Sequence, residues 1–293
     1  GATDGDGAST NVITSPYTHV DLWLESSGSP SANQVIKGAD ITYAVKADMK
    51  NVMGADFTLN IPAGLTIKST ALGSVFSTQD PLVVESGKIN FKGHEMDGTP
   101  VDVSGATLFT VTLTAPDTTG SYVLSFDETS DDFSMFPGYG PSTHIYAAGL
   151  TGATVKVVDP PTITSSDIQG YYLTGETRDF YVLTKNPSTG GDYQHALFKY
   201  VIQGAVKADI KTFQYYTGSA WVDMQLIEED GNLVGEFGIA PTGFHMIPGH
   251  SANTQFHIEF NTAKNYSFIL TLVDRDAGDY ELARLDKTAN VYT

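Results

Sequence analysis

The stretch VIKGADITYAVKADMKNVMGADFTLNIPAGLTI, residues 35–67, decides the fold. Within it Ile41, Tyr43 and Val45 alternate with Thr42, Ala44 and Lys46, and Phe57, Leu59 and Ile61 alternate with Thr58 and Asn60. A period of two turns one face of each segment to a core and the other to water, whereas a helix would bring its apolar residues round every third or fourth position. Upstream, Val20, Leu22 and Leu24 follow the same rule; downstream, so do Phe109, Val111 and Leu113, then Tyr122, Leu124 and Phe126. The pattern returns in Ala196, Phe198, Tyr200 and Ile202, in Phe256, Ile258 and Phe260, and in Tyr266, Phe268, Leu270 and Leu272. Between these runs 29 Gly and 13 Pro, with clusters of Ser, Thr, Asn and Asp, supply the turns. No segment offers a capped apolar stripe over three helical turns, and Val206–Thr212, the nearest, reads equally well as strand. The chain is therefore expected to be all-β, and 293 residues are too many for one sandwich, so two tandem β-sandwiches are predicted.

The boundary falls after residues 153–159, ATVKVVD, which read as a closing strand followed at once by Pro160-Pro161. Two prolines cannot donate to a ladder and favour an extended connector. This predicts a small polar flexible leader at 1–10, a first sandwich at 11–159 and a second at 160–293. Each half is acidic: 7 basic against 18 acidic residues up to Pro160, net −11, and 9 against 16 after it, net −7.

The first half resembles the cohesin family and the related carbohydrate-binding modules. The resemblance lies in the opening VDLWLESS, the Gly38–Asp40 turn, the Asn51–Gly54 turn, the Phe57–Ile61 strand, the Pro62–Leu65 close, the paired strands of Leu108–Glu128 and the final Gly149–Asp159. It implies a nine-stranded jelly-roll and a role in adhesion or assembly; no dockerin-binding face carries over residue by residue. The second half is similar to immunoglobulin-like modules of bacterial surface proteins, through Tyr181–Gly204, the hairpin Phe213–Leu226 around Thr217-Gly218-Ser219, and the segments Ile247–Phe260 and Asn265–Asp274.

Composition excludes several functions. The formal net charge of −18 repels nucleic-acid phosphates and anionic lipid, so neither is an expected partner. The absence of cysteine removes disulfides, thiolate metal sites and a thiol nucleophile. No apolar run approaches the ~20 residues that span a bilayer, and no signal-peptide pattern occurs, as expected of a mature or trimmed form. Nucleophile elbows, phosphate loops and dinucleotide fingerprints are lacking, so the chain is read as no enzyme and as requiring no cofactor.

Three features remain as candidate sites. Parity turns Trp23 away from Val20, Leu22 and Leu24, so that the leader, the second domain or an outside ligand must cover it. Met135–Pro141, too rich in Gly and Pro for a strand, either folds over the sandwich mouth or presents Phe136 and Tyr139. Asp274, Asp276, Asp279 and Glu281 are oxygen donors that would suit a structural Ca2+, or else a solvated hairpin turn around Ala277-Gly278. Each doublet, Tyr171-Tyr172 and Tyr215-Tyr216, must place one ring outside, while Trp221 is expected to anchor the core. The leading expectation is a non-catalytic cell-surface or scaffold protein of a prokaryote, extracellular and acting in adhesion or assembly by protein–protein contact. The alternative is a carbohydrate-binding module pair that targets polysaccharide, marked by exposed aromatic rings on one sheet face.

Overall fold

A computed structural model describes residues 19–31, 33–127, 134–137, 149–165, 170–237 and 243–293. Regular structure among them is strand throughout, apart from two three-residue 3-10 turns at Lys207–Asp209 and Arg275–Ala277. The ambiguous Val206–Thr212 is both: the first turn, then the start of the strand Ile210–Tyr216. The all-β reading holds.

The first half is organised by one strand, Asp40–Asn60. Its N-terminal part lies between His19–Ser27 and Val101–Thr114, and its C-terminal part pairs with Lys88–His94 and Ser134–Pro137. The change of neighbours centres on Asn51, whose φ of 56° is left-handed and which follows register shifts between Ala47 and Met49. Asn tolerates that conformation better than most residues, and here its backbone N–H donates to Asp102 Oδ1 at 2.6 Å. From Leu59 and Asn60 the pairing passes to Gly120–Phe126, then to Ala153–Val158 and Gln34–Ile36. The alternation read from sequence is the alternation of burial: Ile41, Tyr43, Val45, Ala47 and Met49 face one core with Phe57 and Leu59. At its centre Phe91 lies 5.2 Å from Phe57 and 5.9 Å from Phe109, ring centre to ring centre.

The second half is a sandwich of two sheets. One has the order Thr162–Thr164, Thr177–Lys185, Ser251–Phe260, Ile210–Tyr216, Trp221–Asp223. The other runs Tyr171–Leu173, Tyr280–Tyr292, Asn265–Asp274, Tyr193–Gln203, Asn232–Phe237, Ile227–Glu229, with Phe244–Met246 added alongside Tyr193–Gln203. Stacked rings fill the space between them, with Phe180 on Phe256 at 5.0 Å and Phe198 on Phe237 at 4.7 Å.

The two apolar cores run from Val20 to Val157 and from Ile163 to Val291, and the halves interlock between them. Ile36, on a first-half strand, packs against the second core. Gln34 beside it is buried and bonded on both amide atoms: Nε2 donates to Ser31 O and Asp192 O, and Oε1 accepts from the Asp192 N–H at 2.7 Å. Asp274, fully buried in the second half, accepts from the Ser31 N–H at 2.9 Å and the Ser31 hydroxyl at 2.7 Å. Asp159 bonds to Thr189 and Lys37, and its backbone bridges to Gly190. The loop receiving Gln34 is shaped by Asn186, whose amide donates to Gly191 O and Ile247 O.

Gly191 leaves no room for a side chain at this junction. A Cβ there would lie 2.8 Å from Gln34 Oε1 and collide with the Tyr193 ring. Gly191→Ala is therefore expected to push Gln34 out of its pair of bonds and cost about 1–3 kcal/mol. Calorimetry should show the melting of the two halves drawn apart; an unaltered melting curve would remove the junction from the account of stability.

Surface carboxylates impose a pH limit. The Lys68 and Thr114 hydrogen bonds on Asp40, those of Lys50 and the Asn51 N–H on Asp102, and those of Lys37 and Thr189 on Asp159 hold all three carboxyls below the usual 3.8. A group depressed in the folded state contributes fully above its unfolded pKa and loses that contribution as pH falls through the folded value. Melting temperature should be level from neutrality to about pH 5 and fall below about pH 4. A melting temperature that rises on acidification would refute this.

Candidate functional site

The outer face of the five-stranded sheet carries aromatic and hydrogen-bonding side chains side by side. Phe180, Val182, Phe256, Ile258 and Phe213 point inward, so parity sends Asp179 and Tyr181, Gln255 and His257, and Gln214 and Tyr216 outward. Cross-strand register sets Asp179 beside His257, His257 beside Gln214, and Gln214 beside Asp223. The next row begins with Tyr181 beside Gln255, and Tyr216 is paired with Trp221. Trp221 reaches back across the sheet and stacks on the His257 ring, centroids 3.3 Å apart and planes 19° apart. Tyr216 stands beside it at 5.2 Å, tilted 46°. Asp179 holds the His257 Nδ1 side and also accepts from Gln255 Nε2 at 2.7 Å, while Gln214 Nε2 donates to Asp223 Oδ1 at 2.7 Å.

Sequence reasoning missed this face, because it placed Trp221 in the core. The pairing of Trp221 with Tyr216 on the edge strand puts both rings outside, while Tyr215 packs inward against the second core. The missed signal was the Tyr215-Tyr216 doublet: fixing Tyr215 inside fixes Tyr216, and with it Trp221, outside. Tyr172 is buried and Tyr171 is 73% exposed, so that doublet divides as expected.

The candidates read from sequence are dispersed. Trp23 lies on the outer face of its strand as parity predicted, half-buried between Lys46 and Thr151 on the neighbouring strands, with its indole N–H donating to Glu25 at 3.0 Å. Phe136 falls in the strand Ser134–Pro137, which corrects the reading of that stretch as too rich in Gly and Pro to pair. Pro137 closes the strand at a register shift, a place where a ladder needs no proline N–H. Tyr139 lies outside the described residues, as does the leader 1–10.

Asp274, Asp276, Asp279 and Glu281 do not converge on a common point. Asp274 is spent on Ser31 and the Asp276 N–H, Asp276 pairs with His195 at 2.8 Å, Asp279 pairs with Lys199 and Arg275, and Glu281 lies exposed in its strand. Asp274, Asp276 and Asp279 each already have a hydrogen-bond or ion-pair partner within the protein. Among the described residues no group of three or more His, Asp or Glu is arranged to hold a metal. Among the described residues four His–Asp pairs occur, His19–Asp21, His195–Asp276, His245–Asp192 and His257–Asp179, all partly or largely open to solvent.

No family model and no curated protein matches the chain. Among solved structures it is similar to a type I cohesin of the ScaB protein from Pseudobacteroides cellulosolvens, 17% identical, covering 48% of this chain and 93% of that one at a TM-score of 0.39. A non-cellulosomal cohesin from Archaeoglobus fulgidus is 17% identical over 48% of this chain and 92% of its own, with a TM-score of 0.37. The C-terminal domain of the AgI/II polypeptide BspA of Streptococcus agalactiae covers 93% of this chain and 100% of its own, at 11% identity and a TM-score of 0.40. The fold itself stands on the strand pairing and cores described above. None of the described helical turns is long and apolar enough to cross a membrane.

Both tryptophans lie on outer faces, so Trp23→Ala and Trp221→Ala should each cost about 1 kcal/mol or less of stability. Phe256→Ala, inside the second core, should cost about 3–5 kcal/mol. Chemical denaturation of the three variants side by side checks this, and a loss at Trp221 as large as at Phe256 would return it to the core.

Proposed function

We propose that this chain is a non-catalytic binding protein of a prokaryotic cell surface or extracellular scaffold, acting in adhesion or assembly through contact with another surface or scaffold protein. The observation that supports it is the placement of Trp23, half-buried on an outer sheet face of the first half. A large ring left half outside forgoes part of its burial free energy, of order 1–2 kcal/mol, which an external partner recovers on covering it. The interlocked junction suits the same role, because Gln34, Ser31 and Asp274 hold the halves in one geometry and so fix the spacing of their outer faces. The acidic surface favours partners that are neutral or basic.

Beads coated with the full chain should adhere to immobilised prokaryotic surface-protein fractions, and Trp23→Ala should weaken that adhesion several-fold at an unchanged melting temperature. Chromogenic esters and glycosides should be left intact. Turnover that disappears on replacing a single carboxylate would overturn the reading in favour of an enzyme, and equal adhesion by Trp23→Ala would remove the first half's face from it.

A further inference from the structure

We infer that the outer face of the five-stranded sheet in the second half is a polysaccharide-binding platform on which a neutral pyranose ring stacks against Trp221. This goes beyond the protein contact proposed above and gives the second half's face a ligand of its own.

The geometry of Trp221 carries the assignment. The indole stacks on the His257 ring, 3.3 Å away and only 19° from parallel, on the outer side of the sheet. Asp179 holds that imidazole from the next strand, so the indole is supported in one orientation before any ligand arrives. An aromatic plane held in place at the sheet surface matches the C–H face of a pyranose, which buries apolar surface against it at little entropic cost. Tyr216, 38% exposed, stands 5.2 Å from the indole and tilted 46° to it. Tyr181, 39% exposed, stands on the strand next to that of His257 and adds a further ring to the same face.

The polar groups between the rings have the complementary chemistry. Gln255 with Asp179 and Gln214 with Asp223 form two amide–carboxylate pairs on the same face. Each pair retains an amide carbonyl and further carboxylate lone pairs to accept from sugar hydroxyls, and an amide N–H to donate to them. Neighbouring hydroxyls, each both donor and acceptor, can bridge such a pair. The two carboxylates, on a chain of net charge −18, disfavour uronic acids and sulfated glycans, which leaves neutral polysaccharide as the occupant.

Affinity electrophoresis of the full chain tests this, in gels containing hydroxyethylcellulose, xyloglucan, mixed-linkage β-glucan, glucomannan or dextran, with alginate as the anionic control. At least one neutral polymer should retard the protein and alginate should not. Trp221→Ala should weaken the retardation by about tenfold or more, equivalent to 1.4 kcal/mol, and Gln214→Ala by a smaller factor. Tyr171→Ala, which removes a 73% exposed ring from the other sheet, should migrate as the wild type does. Melting curves establish that each variant is folded. Retardation by no neutral polymer, or equal retardation of wild type and Trp221→Ala, overturns the proposal. Adhesion to protein-coated beads that depends on Trp221 without any polysaccharide binding would assign the face to a protein and also overturn it. Adhesion through Trp23 is read separately, so the platform and the broader adhesive reading fail on different measurements.

Discussion

A carboxylate removed wholly from water must be matched donor for donor, and the Asp274 carboxylate finds its donors in the other half of the chain. Two of its hydrogen bonds come from Ser31 and one from the N–H of Asp276 in its own turn. Neither half is polar-complete without its neighbour at this point: parting them would leave Asp274, Gln34 and the Asp192 N–H in search of water. The constraint is directional, unlike the contact of Ile36 with the second core, so it sets an angle as well as a distance between the sandwiches. Everything presented on the outer sheet faces is thereby held at a fixed separation.

The same carboxylate shows where sequence and structure part company. Spacing among Asp274, Asp276, Asp279 and Glu281 left a shared cation and a solvated hairpin turn both open, because local spacing reveals which residues are near but not which partners reach them from 243 residues away. Ser31 lies in a short polar spacer with no pattern of its own. Alternation, by contrast, was fully legible: Ile41, Tyr43, Val45 and Phe57 are buried as their parity required, since a strand's two faces are fixed by covalent geometry alone. Parity also placed Trp23 outside. It failed for Trp221 because a three-residue edge strand is too short to show a period, and large rings near turns are usually core. Phe136 was misread because Gly and Pro argue against strand only where the ladder needs their N–H or their stiffness, and Pro137 stands at the end of its ladder.

The surplus of acid over base shapes what the outer faces can meet. With 34 acidic and 16 basic residues, many carboxylates cannot be paired with a cation and must be placed where water or neutral donors satisfy them. In the second half the acids next to the aromatic face take amide and imidazole donors: Asp223 from Gln214, and Asp179 from Gln255 and His257. Glu259, one row along, is instead tied to Lys211 at 2.8 Å and to Thr177, and its carboxyl is held below the usual range by those bonds. The difference matters to recognition. An acid locked to lysine is electrostatically spent, whereas one sharing an amide keeps lone pairs open at the surface beside a flat ring. Such an edge accepts hydroxyl and ammonium donors and turns anions away.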